Sequence, residues 1–163
     1  MQPVHAGPVP SETATAQAQR ALMIGLMGED SLALCRRAYE LYGQGRFEEM
    51  LELFADDVEV YVGPPNIESG TYTGRDSYRD LIVRWGGSWS EMVIEPQSME
   101  PAGDWVLAQV EYRGRTSDAD IEVRQMSWEL SCWRDGQVQR YEVYWDPAQG
   151  RAAFAEREAQ ARS

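Results

Sequence analysis

The sequence predicts an α+β fold in which helices lead and a meander of strands follows. Three observations carry that expectation. Apolar residues recur at three- and four-residue spacing in segments before Gly86, and mainly at every second residue after Met92. Between two strand-like runs sits Asp135-Gly136, a pair suited to the φ > 0 conformations of a two-residue hairpin loop. Helices that precede a run of strands pack together against one face of an antiparallel sheet.

The elements follow in order. Residues 1–28 are rich in Pro, Ala, Thr and Gln with poor periodicity, so they predict a mobile extension in which Met23 and Met27 are alternative starts. Asp30-Ser31 offers a helix cap, after which Leu32, Cys35, Tyr39 and Tyr42 form an apolar stripe ending at Gly43. A second, short helix buries Phe47, Met50, Leu51 and Phe54 and ends at Asp56-Asp57. Val58 to Val62 alternates as a strand, and Gly63-Pro64-Pro65-Asn66 breaks it. From Gly74 a third helix carries Tyr78, Leu81, Ile82 and Trp85, and Gly86-Gly87 stops it.

Strands are then predicted over Met92 to Met99, Trp105 to Arg115, Ile121 to Arg134 and the run after Gly136. In the third of these the apolar phase changes between Val123 and Met126, which predicts a bulge there. Asp146-Pro147 caps a tail helix containing Ala152, Phe154 and Ala155. The expected organisation is an extension (1–28), one domain (29–150) and a helical tail (151–163).

Counting outward from the turn sets a register. Trp133 faces Val138, Ser131 faces Arg140, Glu129 faces Glu142 and Ser127 faces Tyr144, all on one mostly polar face. The opposite face carries Met126, Trp128, Leu130 and Cys132 with Gln139, Tyr141, Val143 and Trp145. Glu129 and Glu142 would start about 5 Å apart, close enough to split their pKa values for acid–base work. Their neighbours Gln109, Glu111, Arg113, Ser131 and Arg140 instead assign them to a convex, solvated or dimer-forming face.

Composition narrows the chemistry. A net charge of -12 and a pI near 4.5 argue against nucleic-acid or anionic-membrane partners. No apolar run is long enough to span a bilayer, and the first residues lack a secretory leader's pattern, so the expected compartment is the cytoplasm. All fifteen basic residues are arginine, which leaves no lysine for a Schiff base or a phosphate loop. The one histidine, His5, lies in the extension, so histidine triads and multi-histidine metal sites are not expected. Cys35 and Cys132 read as small buried hydrophobes. No metal and no cofactor is expected, and acid–base chemistry falls to Asp, Glu, Tyr or Cys.

Several segments together resemble a known family. Phe54-Ala55-Asp56-Asp57-Val58-Glu59-Val60, Gly70-Thr71-Tyr72-Thr73-Gly74-Arg75-Asp76, Trp133 to Val138 and Tyr144-Trp145-Asp146 are similar to the SnoaL-like group of the nuclear-transport-factor-2-like superfamily. The resemblance runs from about Ser31 to Gly150. It implies a cone-shaped barrel, a curved and mostly antiparallel sheet wrapped by three N-terminal helices, with a pocket on its concave side. It also implies pairing of chains through the outer sheet face, as a homodimer. Ketosteroid isomerases of that superfamily use a carboxylate base with a Tyr and a protonated Asp. At the base's place this chain offers only Val60, Tyr61 and Val62, and the second Asp falls near Leu130.

The expectation is therefore a cofactor-free acid–base enzyme of isomerase, cyclase or hydrolase type, acting on an apolar cyclic or polyketide-like molecule. The alternative is a ligand-binding or dimerising module without turnover. The expected pocket residues are Tyr39, Tyr42, Trp85, Met126, Trp128, Leu130, Val143 and Trp145. Tyr61 and Tyr141 are the candidate catalytic hydroxyls.

Overall fold

A computed structural model describes residues 12–162. The elements are α1 (Glu12–Gly43), α2 (Phe47–Leu51), β1 (Phe54–Val62), β2 (Gly70–Thr73), α3 (Arg75–Gly87), β3 (Trp89–Ala102), β4 (Trp105–Thr116), β5 (Glu122–Arg134), β6 (Gln137–Tyr144) and α4 (Pro147–Arg162). They form an α+β fold around one curved, unclosed six-stranded sheet in the order β2-β1-β6-β5-β4-β3. All pairings are antiparallel except β1 with β6.

Several boundaries differ from those expected. Helix α1 begins at Glu12 rather than at the Asp30-Ser31 cap, so residues 12–28 are helical; residues 1–11, with His5, lie outside the described residues. Phe54 opens β1 instead of closing the second helix, and the short strand β2 lies in what reads as loop. Ile121 precedes β5, and the β4–β5 ladder runs from Glu122 to Cys132 without the expected bulge.

The register shift that matters for the site lies in the hairpin. Asp135 (φ 53) and Gly136 (φ 75) make its turn, as both φ > 0 positions require. Trp133 pairs with Val138, but Cys132 pairs with Arg140, so Gln139 is left over as a bulge. Beyond it Ser131 meets Tyr141, Glu129 meets Val143 and Trp128 meets Tyr144. One extra residue moves every later β6 side chain to the other face relative to β5.

Both faces of the hairpin are covered. On the concave side α1, α2 and α3 close over Val58, Val60, Val106 and Val138, each fully buried, with Cys35, Leu41, Leu51 and Leu81. On the outer side α4 packs Phe154 against Leu107 and Leu130, with Trp105, Trp128 and Tyr144 at the margin. The approach is close: a Cβ on Gly150 would lie 2.4 Å from Trp128 Cβ. Among the described residues no helix is long and apolar enough to cross a membrane.

Candidate active site

The bulge decides what the concave face presents. Ser127, Glu129, Ser131 and Trp133 of β5 stand there beside Val138, Tyr141, Val143 and Trp145. Glu129 is 1% exposed, and its carboxylate is surrounded by hydroxyls from four different places in the chain. Tyr39 of α1 donates to Oε1 at 2.6 Å, and Tyr141 of β6 donates to the same oxygen. Ser127 of β5 donates to Oε2 at 2.7 Å, joined there by Tyr112 of β4. Four donors fill the roughly four lone-pair sites of a carboxylate.

The three tyrosine donors, and Tyr78 beside them, are held as neutral phenols. Burial, and then the charge of Glu129, push Tyr39, Tyr78, Tyr112 and Tyr141 well above the ordinary tyrosine range. The same two causes push Tyr42 up to about 12. Cys35, on the same wall, is pushed up to about 12, chiefly by burial, so it is a thiol and a poor nucleophile at neutral pH. Its sulfur lies 3.9 Å from Ser131 Oγ, which also accepts a 2.8 Å bond from Trp133 Nε1.

Beside Glu129 is a cavity of about 110 Å³. That is similar to an apolar cavity of about 150 Å³ able to hold benzene, so it matches a ligand of about one ring. Its walls include Tyr42, Tyr78, Trp85 and Trp145, and Asn66 and Glu68 stand at one side. Trp85, Tyr112 and Trp145 contact one another edge-on or tilted, with centroids 5.6–6.1 Å apart. Trp145 Nε1 is buried with no hydrogen-bond partner.

The expected site residues separate cleanly. Tyr39, Tyr42, Trp85, Tyr141, Val143 and Trp145 line the cavity. Trp128 and Leu130 do not: they lie on the outer face under α4. Met126 shares that face, paired with Glu111. Tyr61 also points away, stacking on Tyr144 at 5.7 Å. The expected outer placement of Glu129 is reversed; the hairpin count put Ser127 on its face, but Tyr112 belongs to a cluster that the count did not assemble.

Glu142 is not Glu129's partner. It is buried on the outer face, accepting from Arg140 Nε at 2.6 Å, Tyr144 at 2.7 Å and Arg157 at 3.0 Å. Burial alone would raise its pKa, but the Arg140 and Tyr144 hydrogen bonds and the two arginine charges outweigh that and lower it. The carboxylate-pair arrangement is therefore absent. Among the described residues no group of three or more His, Cys, Asp or Glu is placed to hold a metal.

The SnoaL-like domain model matches residues 35–141, most of the folded unit. The chain belongs to the SnoaL-like family. An NTF2-like protein of unknown function from Burkholderia pseudomallei K96243 is 18% identical, with TM-score 0.66 over 74% of this chain and 93% of that one. A presumed SnoaL-like polyketide cyclase from Mesorhizobium loti is 16% identical, with TM-score 0.56 over 70% and 97%. A presumed isomerase from Bacillus subtilis is 19% identical, with TM-score 0.62 over 79% and 95%. At such identities the likeness establishes the NTF2-like fold alone. No curated protein matches the chain by sequence.

Proposed function

We propose that this SnoaL-like chain is a cofactor-free acid–base enzyme, of isomerase, cyclase or hydrolase type, for an apolar cyclic or polyketide-like substrate of about one ring. The supporting observation is Glu129: a buried carboxylate wrapped in neutral hydroxyls beside an otherwise apolar cavity. A proton leaving the substrate passes to a tyrosine oxygen, either Tyr141 or Tyr39, as that tyrosine's own proton moves to Glu129. No tyrosinate is left, and the protonated Glu129 returns the proton through the same path to a different substrate atom. The unpaired Trp145 Nε1 is suited to a substrate carbonyl oxygen, where it would stabilise the negative charge that deprotonation creates. The test is proton–deuterium exchange α to the carbonyl of a cyclic ketone that the protein binds, followed by NMR. Acceleration by the protein is expected; a bound ketone that exchanges only at the solvent rate sinks the catalytic reading.

The second reading is a binding module without turnover. It is favoured by the completeness of the Glu129 shell, which leaves the carboxylate no vacant acceptor site for a substrate. Homodimerisation is proposed through the part of the outer face that α4 leaves open, which carries Val93, Glu95, Arg113 and Arg124. A single monomeric species in sedimentation at micromolar concentration would rule it out.

A further inference from the structure

We infer that the cavity selects a ligand bearing a cationic centre: an organic ammonium on a ring-sized apolar body. The inference rests on the reading that the cavity holds a ligand, and it does not require turnover. Its first ground is the way buried carboxylates are neutralised in this chain. Of three buried glutamates, Glu142 has Arg140 at 2.6 Å and Arg157 at 3.0 Å. Glu111 has Arg113 at 2.7 Å and Arg124 at 2.9 Å. At the cavity's edge Glu68 has Arg84 at 3.3 Å. Glu129 has hydroxyls: among the described residues no arginine lies within ion-pair distance of it, and no basic residue lines the cavity. Hydroxyl dipoles offset part of the cost of a buried charge, but they do not cancel the charge.

The second ground is the polarity of the surface next to that charge. Tyr39, Tyr112 and Tyr141 each spend their one proton on the carboxylate. Whatever a ligand meets of those oxygens is lone pair, so the carboxylate's negative potential is relayed to the cavity wall as acceptor sites. Tyr42, Tyr78, Trp85 and Trp145 also line the cavity, among aliphatic side chains such as Leu81, Ile82 and Val143, and aromatic rings attract cations at their faces. Carboxylate, outward lone pairs and aromatic faces favour positive charge; against them stands the unpaired donor Trp145 Nε1 in the same wall. A cationic centre also acidifies neighbouring C–H and O–H bonds, which suits a substrate to a carboxylate base.

Three ligands of nearly equal size separate the possibilities at neutral pH: benzylamine as its ammonium, benzyl alcohol and benzoate. Calorimetric titration of each into the full chain is expected to rank them in that order. The ammonium should bind at least about tenfold more tightly than the alcohol, and benzoate should not bind measurably. In Glu129→Gln the amide oxygen can accept from two of the hydroxyls while its NH2 group turns the other two, and the preference for the ammonium over the alcohol should shrink below about threefold. The wild-type ranking stands even if the variant does not fold. Equal binding of ammonium and alcohol, or measurable benzoate binding, overturns charge selection and leaves the ketone-exchange reading standing. No binding by any of the three overturns both.

Discussion

Glu129 and Glu142 are buried on opposite faces of one hairpin and solve the same electrostatic problem differently. Glu142 is paired with Arg140 and Arg157, and Arg157 also lies over the Trp105 ring at 4.8 Å. Those contacts join α4 to the sheet. Glu129 is given hydroxyls instead of arginines, and a cavity instead of a helix. An arginine-paired carboxylate is a poor base, because protonating it breaks the pair. A hydroxyl-bound carboxylate beside a cavity has a hydrogen-bonded path for protons. The contrast separates a charge used to hold the fold from a charge left for chemistry.

The largest expected effect is on the concave side. Glu129→Gln should keep the fold and slow proton exchange on a bound ketone by roughly 10²–10⁴-fold, the usual contribution of a general base. Retained exchange would assign Glu129 to structure alone. Next comes Glu142→Ala, which strands Arg157 and Tyr144 beneath α4. Its cost should be about 2–3 kcal/mol, below the value for a wholly buried pair because both arginines reach solvent. That corresponds to a melting-temperature drop of roughly 5–10 °C. Ligand affinity in the cavity should be unchanged, and a matching loss of affinity would show that the two faces are coupled.

Gly150→Val drives a side chain into Trp128 and should cost about 1–3 kcal/mol by lifting α4, read as earlier urea unfolding. An unchanged midpoint would mean that α4 does not seat on β5. The smallest effects are on pH dependence. Tyr39, Tyr78, Tyr112 and Tyr141 titrate above the ordinary tyrosine value when folded, so the stability they confer is whole below about pH 10 and is lost as pH rises. Absorbance at 295 nm should show them ionising only together with unfolding. On the outer side Glu142 is shifted the other way. Its contribution is present above the ordinary glutamate value and is lost as pH falls below it, so the stability gap between wild type and Glu142→Gln should close on acidification.

Much of this fold was legible in the sequence, and at the candidate site the reading failed at a single residue. The Asp135-Gly136 turn, the α3 stripe from Tyr78 to Trp85 and the alternation of Val106, Ala108, Val110 and Tyr112 each identify their elements. Gln139 carries no such mark. A bulge there needs neither glycine nor an unusual residue, yet it reverses the faces of Tyr141, Glu142 and Val143 relative to Glu129. Polarity could not correct the error, because α4 covers the outer face and makes Trp128, Leu130 and Cys132 look like a concave wall. The missed signal lay one strand away. Tyr112 continues the apolar phase of β4, and pairing Ala108 with Glu129 places both residues on the cavity side. That ladder depends on the length of the turn between β4 and β5, which side-chain identities do not specify.

The most direct measurement compares deuterium exchange on one bound cyclic ketone among wild type, Glu129→Gln and Glu142→Gln, with each variant's melting temperature beside it. Glu129→Gln should lose exchange by at least about a hundredfold while remaining folded. Glu142→Gln should exchange like wild type while melting several degrees lower. Equal exchange by wild type and Glu129→Gln would contradict the assignment of the chemistry to the concave glutamate.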